Sequence, residues 1–108
     1  MKLYIDVNSV RFILTEAELA RLKAGGEVAE IIHFGPELQG NLRYSLVVTE
    51  QPVPVAVSFL NSAITISITT EQLNAWSEDG QAGVYAKLDV GPTGPLEVAI
   101  EKEAGTGG

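Results

Sequence analysis

Three basic side chains could bind or transform an anion: Arg11, His33 and Arg43. His33 is the single histidine of the chain, and the two arginines fall on the polar side of segments that alternate between polar and apolar residues. An imidazole beside a guanidinium would form a polar pocket for an anionic ligand. Alternatively, each is an ordinary strand residue, with the histidine packed beside a turn and the arginines solvated.

The remaining residues offer little other chemistry. The chain has no cysteine, which excludes disulfides, thiolate nucleophiles and cysteine-bound zinc or iron–sulfur clusters. A single histidine cannot complete a site that needs two imidazoles. No phosphate-binding glycine motif occurs, and the stretch Ser77-Glu78-Asp79 is too short for a calcium loop. We therefore predict no catalytic residue, no metal and no cofactor.

Length and charge define the class of protein. A chain of 108 residues with 45% hydrophobic residues has the size of one domain and can close a modest core. Its net charge of −7 repels the phosphate backbone of nucleic acids. No apolar stretch approaches the roughly 20 residues that span a bilayer, and Asp6 interrupts the segment where a secretory signal would be apolar. We predict a cytoplasmic protein that binds neither nucleic acid nor membranes.

Capping residues and glycines predict two short helices among eight strands. Thr15-Glu16-Ala17-Glu18 has the pattern of a capping box, and Gly25-Gly26 ends a helix over residues 16–24. A second helix is predicted over residues 70–78. Alternation and turn residues predict strands over residues 2–7, 9–14, 27–34, 42–49, 55–60, 63–69, 81–90 and 96–102.

The order of these elements repeats after 54 residues without a gap. Under this shift Leu22 falls on Trp76, and we predict that both lie in the core. Phe34 falls on Leu88 in the strand that follows the helix. The repeat predicts an internal duplication. Alternatively, turn and capping residues that are common at the ends of strands and helices could produce two similar units without duplication.

The repeat also predicts the architecture. Tandem ββαββ units over residues 1–54 and 55–102 would share one core around a pseudo-two-fold axis. We expect an α+β fold with two short helices and either a mainly antiparallel β barrel or two packed sheets. Residues 1–102 would form this single domain, and residues 103–108 a flexible glycine-rich tail.

A symmetric fold could place one carboxylate from each half on its axis to form a proton-sharing dyad. The 54-residue shift puts no acidic residue of the first half on an acidic residue of the second. Asp6, for example, falls on Leu60. An aspartic-protease-like site is therefore excluded.

Several short motifs resemble a family of small bacterial proteins of unknown function. They are Asn8-Ser9-Val10-Arg11, His33-Phe34-Gly35 and Ile100-Glu101-Lys102, and the resemblance spans about residues 1–102. The family pattern continues after the last motif with Asp-Phe-x-Cys, whereas this chain continues Glu103-Ala104-Gly105. The resemblance implies no activity, because the family has none established.

Two classes of function remain. We favour a small non-catalytic binding or protein-interaction module, since a β scaffold offers grooves and strand edges. The alternative is a small enzyme that acts on an anionic substrate through His33 with Arg11 or Arg43.

A partner is predicted from the many short strands and the proline-bearing linker, which suggest sheet edges that are not all closed within one chain, and from apolar residues on otherwise polar strand faces. Ile13, Ile31 and Val47 are apolar where a fully solvated face would be polar. We therefore expect a protein partner or a weak homodimer that salt strengthens by screening the net charge.

Overall fold

The computed structural model describes residues 1–37, 40–78 and 80–103. Two helices and eight strands form two four-stranded mixed sheets in this part of the chain. In chain order the elements are β1 (Lys2–Asp6), β2 (Ser9–Leu14), α1 (Glu16–Gly25), β3 (Glu27–His33), β4 (Asn41–Val48), β5 (Val55–Leu60), β6 (Ala63–Ile68), α2 (Thr70–Glu78), β7 (Gly83–Asp89) and β8 (Pro95–Lys102). The strand order is β1-β2-β8-β7 in sheet I and β3-β4-β6-β5 in sheet II. The predicted α+β fold with two packed sheets is confirmed, and the described strands do not close into a barrel.

Each sheet takes two strands from each half of the chain. The outer strands of each sheet join it through antiparallel pairs, whereas the central pairs, β2 with β8 and β4 with β6, are parallel. These central pairs share one register under the 54-residue shift, since Ser9 pairs with Glu97 and Ala63 pairs with Arg43. The 54-residue shift therefore maps sheet I onto sheet II, with the same strand order and the same register in the central pair.

The ungapped repeat is wrong by two residues in β3 and β7. Ile32 pairs with Leu42 in sheet II, and Leu88 pairs with Leu96 in sheet I. Leu96 lies 54 residues after Leu42, so the structural counterpart of Leu88 is Ile32 and not Phe34.

The cause of this shift is the length of two connections. Gly26 alone separates α1 from β3, whereas residues 79–82 separate α2 from β7, and because α1 is one residue longer than α2 the net shift is two residues. The next loop compensates, because it spans residues 34–40 in the first half and residues 90–94 in the second. The strand predicted over residues 81–90 consequently begins two residues later, at the start of β7.

One hydrophobic core lies between the two sheets and the helices. Its largest fully buried side chains are Phe12, Leu14, Leu22, Leu46, Ile66, Ile68 and Ile100. Leu22 and Trp76 are 0% and 3% exposed, so the prediction that both helix stripes face the core is confirmed. The rings of Phe12 in sheet I and Tyr44 in sheet II meet with centroids 5.8 Å apart, which joins the two layers.

Helix α1 begins at the predicted residue, Glu16, and ends one residue later than predicted, at Gly25. The Glu18 amide donates to the Thr15 hydroxyl over 3.1 Å, and the Thr15 amide donates to the Glu18 carboxylate over 2.9 Å. Gly26 caps the other end with φ of 78°, a left-handed conformation that glycine adopts without steric cost.

Glu18 also binds the first residue of the chain. The Met1 amino group contacts the Glu18 carboxylate and lies 3.6 Å from a Glu30 oxygen, while the Tyr44 hydroxyl donates to the Met1 carbonyl over 2.8 Å. Burial disfavours the charged form of Glu18, but hydrogen bonds from Met1 and Thr15 outweigh it and hold the pKa of Glu18 below its usual value of 4.5. The ionised carboxylate therefore stabilises the folded chain.

We expect this contribution to depend on pH. Since the pKa of Glu18 is lower in the folded than in the unfolded chain, the stabilisation is fully present above about pH 4.5 and is lost as the pH falls through the folded pKa. Glu18→Gln keeps a side chain that suits the capping box but removes the charge. The difference in melting temperature between the parent and Glu18→Gln should be largest near neutral pH and should narrow on acidification. A difference that stays constant from neutral to acidic pH would contradict this assignment.

Two predictions from the sequence fall wholly or partly beyond the described residues. Asp79, in the stretch that is too short for a calcium loop, and residues 104–108 of the expected tail lie outside them. In the part of the chain that is described, no helix is long and apolar enough to cross a membrane.

Candidate functional site

The structure does not bring the three predicted site residues together. Arg11 lies in β2 and alternates with the buried Phe12, so its side chain leaves the outer face of sheet I. Arg43 alternates with the buried Tyr44 and leaves the outer face of sheet II, and His33 is exposed at the end of β3. Because the two sheets share one core, their outer faces point away from each other. Arg11 is therefore separated from Arg43 and His33.

His33 and Arg43 occupy neighbouring strands but have different partners. His33 Nδ1 lies 3.0 Å from the Asn41 amide oxygen. The Arg43 guanidinium donates over 3.2 Å to Glu27, which lies at the opposite end of β3 from His33. Ligand binding by these residues stays a prediction, and their hydrogen bonds do not join them in one site.

A groove crosses the outer face of sheet I. It has a volume of about 380 Å³, and a second hollow of about 260 Å³ shares two of its residues. The outward-facing residues that line the groove are Ser9, Arg11, Tyr85, Lys87, Glu97 and Ala99. This groove combines aromatic, charged and small side chains in one concave surface, as ligand sites commonly do.

The groove exists because a small residue lies between large ones in one row across the sheet. Tyr4 lies opposite Arg11, Arg11 opposite Ala99, and Ala99 opposite Tyr85. Tyr4 and Tyr85 are 53% and 56% exposed, whereas the Ala99 side chain ends at Cβ. Ala99 therefore forms the floor of the groove, and the larger side chains of Arg11 and Tyr85 lie on either side of it.

A hydrogen bond to Glu101 orients the Tyr85 side chain. The Tyr85 hydroxyl donates to Glu101 over 2.7 Å, and this hydrogen bond raises the pKa of Tyr85 above its usual value. The phenol is therefore a protonated donor at neutral pH. Arg11 Nε lies 3.5 Å from the other oxygen of the same carboxylate, so Glu101 links the two sides of the groove.

The charges in the groove are loosely paired. Arg11 Nε lies 3.5 Å from Glu101, and Lys87 Nζ lies 4.0 Å from Glu97. Exposed ion pairs of this kind contribute about 0–1 kcal/mol, so a ligand can replace them at small cost. The groove thus offers a guanidinium, an ammonium and flat aromatic surface for binding, while the single imidazole lies on the other sheet.

Sequence reasoning identified Arg11 but missed Tyr85 and Ala99. The three come together through the parallel pairing of β2 with β8, whose partners Arg11 and Ala99 are far apart in the chain. Alternation along each strand shows which residues point outward, but it does not show which strands are neighbours. No local signal could have placed Arg11 and Tyr85 on either side of Ala99.

A family model matches nearly the whole chain. The model of a family described as a family of unknown function (DUF7009) matches residues 1–104. No curated protein and no solved structure matches the chain. The expected resemblance to a family of unknown function is confirmed to this extent, over nearly the same residues.

Proposed function

Since the chain belongs to the DUF7009 family, whose description names no activity, we propose from its geometry that it is a non-catalytic binding module that holds a segment of a partner protein in the sheet I groove. The observation that supports this proposal is the row in which Ala99 forms a floor between Arg11 and Tyr85. A concave, partly apolar surface with a few polar groups at its rim is the usual form of a binding site. The alternative, an enzyme that uses His33 with Arg11 or Arg43, has no comparable observation in its favour.

The groove chemistry favours a segment that carries a flat side chain next to a carboxylate. A planar side chain can lie on Ala99 and against the ring of Tyr85, where aromatic contacts add stability. A carboxylate can take two parallel hydrogen bonds from the Arg11 guanidinium, the geometry that makes arginine selective for such groups. Lys87 at the rim adds a second positive charge without fixed geometry.

We expect NMR titration to locate such a ligand. The probe is a blocked tripeptide of aspartate, tyrosine and aspartate, compared with one in which lysines replace both aspartates. The acidic peptide should shift the amide signals of Arg11, Tyr85 and Ala99 and bind more tightly than the basic one. Arg11→Gln should weaken binding about tenfold or more, because a hydrogen bond to a charged group contributes about 1.5–3 kcal/mol.

Arg43→Gln is the matched control, since Arg43 occupies the outer face of the other sheet. It should leave the affinity for the acidic peptide unchanged. Equal losses in the two arginine variants, or signal changes centred on sheet II, would overturn the proposal.

We also infer that the two halves arose by duplication of one ββαββ unit. The shared register of the central pairs supports this, and the one departure is a shift of two residues that neighbouring connections absorb. The net charge of −7 and the lack of cysteine further support a cytoplasmic protein that does not bind nucleic acid.

A further inference from the structure

The hairpin of β5 and β6 lies in the longest charge-free part of the chain. Residues 51–70 contain no Asp, Glu, Lys or Arg, although these types make up 19% of the sequence. Glu50 and Glu71 flank the stretch on either side. Strand β5 is also an edge of sheet II, so an uncharged strand occupies an unpaired position.

The other three edge strands carry charges. These are Lys2 and Asp6 in β1, Glu27 and Glu30 in β3, and Lys87 and Asp89 in β7. Charged residues on edge strands oppose pairing with another chain. Only the edge formed by β5 lacks this protection among the four edges of the described sheets.

The far half of β5 is exposed. Phe59 and Leu60 are 67% and 70% exposed, and Ser58 is also exposed. Within the described residues, no backbone hydrogen bond from outside sheet II reaches residues 55–60. The backbone donors and acceptors on the outer side of β5 are therefore open to another strand.

We propose that β5 pairs antiparallel with β5 of a second copy of this chain, which joins two copies of sheet II into one eight-stranded sheet. Directly opposed residues in an antiparallel pair share a face of the sheet. A symmetric β5 pair therefore places one residue opposite its own copy. With Ser58 at that position, Phe59 faces Val57 of the second copy; with Val57 there, Phe59 faces Val55. Both registers form a pair of an aromatic and a β-branched side chain, which stabilises sheets.

Charge favours a second copy at this edge. Two chains that each carry a net charge of −7 repel one another, and the repulsion between nearby side chains is smallest where the approaching strands carry none. The apolar residues that first indicated a dimer do not form one patch, because Ile13 lies in sheet I, whereas Ile31 and Val47 lie in sheet II. The edge of β5 is a continuous surface that these residues do not offer. This inference is independent of the sheet I groove.

Sedimentation of the full chain across protein concentration and salt tests the proposal. The parent should form a dimer whose association strengthens with salt, because screening removes the repulsion and leaves the paired strands unaffected. Phe59→Lys and Ser58→Lys should each weaken association by about tenfold or more, since either places like charges at the two-fold interface.

Ile5→Lys is the matched control, because Ile5 is the counterpart of Phe59 in edge strand β1 and is likewise exposed, at 62%. It should leave the dimer unchanged. A parent that stays monomeric up to millimolar protein in high salt, or an Ile5→Lys variant that weakens association as much as Phe59→Lys, would overturn the proposal.

The lack of native cysteine permits a second test. Ser58→Cys should form a disulfide-linked dimer on mild oxidation, since antiparallel neighbours lie within disulfide reach. Tyr4→Cys, at the equivalent position of β1, should cross-link at least about tenfold more slowly. If Val57 is the central residue, Val57→Cys replaces Ser58→Cys as the fast variant. Equal rates for all three variants would contradict β5 pairing.

Discussion

Trp76→Ala is expected to lower the free energy of unfolding by about 3–5 kcal/mol, the usual cost of truncating a buried aromatic residue. Trp76 belongs to helix α2, and its indole is 3% exposed and lies in the core. Its removal leaves a cavity that the surrounding strands can fill only in part. Urea unfolding at a fixed pH measures the loss directly, provided that the slope of the transition is unchanged.

The Trp76→Phe variant separates the cost of lost side-chain volume from the effect of the unpaired indole N–H. The indole Nε1 is buried and has no hydrogen-bond partner among the described residues, and an unpaired buried donor is itself unfavourable. Phenylalanine removes that donor and keeps much of the apolar volume, so its cost should be clearly smaller than that of alanine. If Trp76→Ala costs less than about 1 kcal/mol, the residue is not part of the core.

Gly83→Ala is expected to destabilise the protein by about 1–3 kcal/mol through overpacking. A Cβ atom at Gly83 would clash with the Ile100 carbonyl oxygen of the neighbouring strand and would lie 3.0 Å from the Tyr85 hydroxyl. The backbone atom cannot rotate away, so β7 must separate from β8. The change should also disturb the hydrogen bond from Tyr85 to Glu101 that orients one side of the groove.

Gly25→Ala is a suitable control for this experiment. Gly25 ends α1, has no neighbouring atom within 4 Å of an added Cβ, and its φ lies outside the left-handed region. Alanine there should be neutral or stabilising by up to about 1 kcal/mol, because it reduces the entropy of the unfolded chain. Thermal melts of both variants make the comparison, and equal stabilities for the two would show that the space beside Gly83 is not limiting.

Local interactions explain what the sequence could predict. The capping box of α1 depends on Thr15 and Glu18, three residues apart, and turn residues likewise define hairpins between adjacent strands. These features need no knowledge of the rest of the chain. The repeat makes Leu22 and Trp76 equivalent. This equivalence predicts that both helices cover one core.

Pairing between distant strands explains what the sequence could not predict. Arg11 and Arg43 were placed on polar strand faces, but which sheet each strand joins depends on pairings beyond the range of any local pattern. The candidate site depends on such a pairing, since it needs Ala99 beside Arg11. The two-residue shift of β7 was missed for a related reason: a connection can lengthen without changing the alternation of the strand that follows.

Each sheet combines strands from both halves of the chain, and this arrangement affects how the chain folds. Sheet I cannot form its central pair until β8 has been synthesised, because Ser9 in β2 pairs with Glu97 near the other end of the chain. Loop closure over such a separation is entropically costly before any contact compensates for it, so folding should be slow compared with that of helical domains of equal size. Neither half contains a complete sheet, and each half made alone would expose the face that its partner covers. Two separately expressed halves should therefore gain their structure only on mixing.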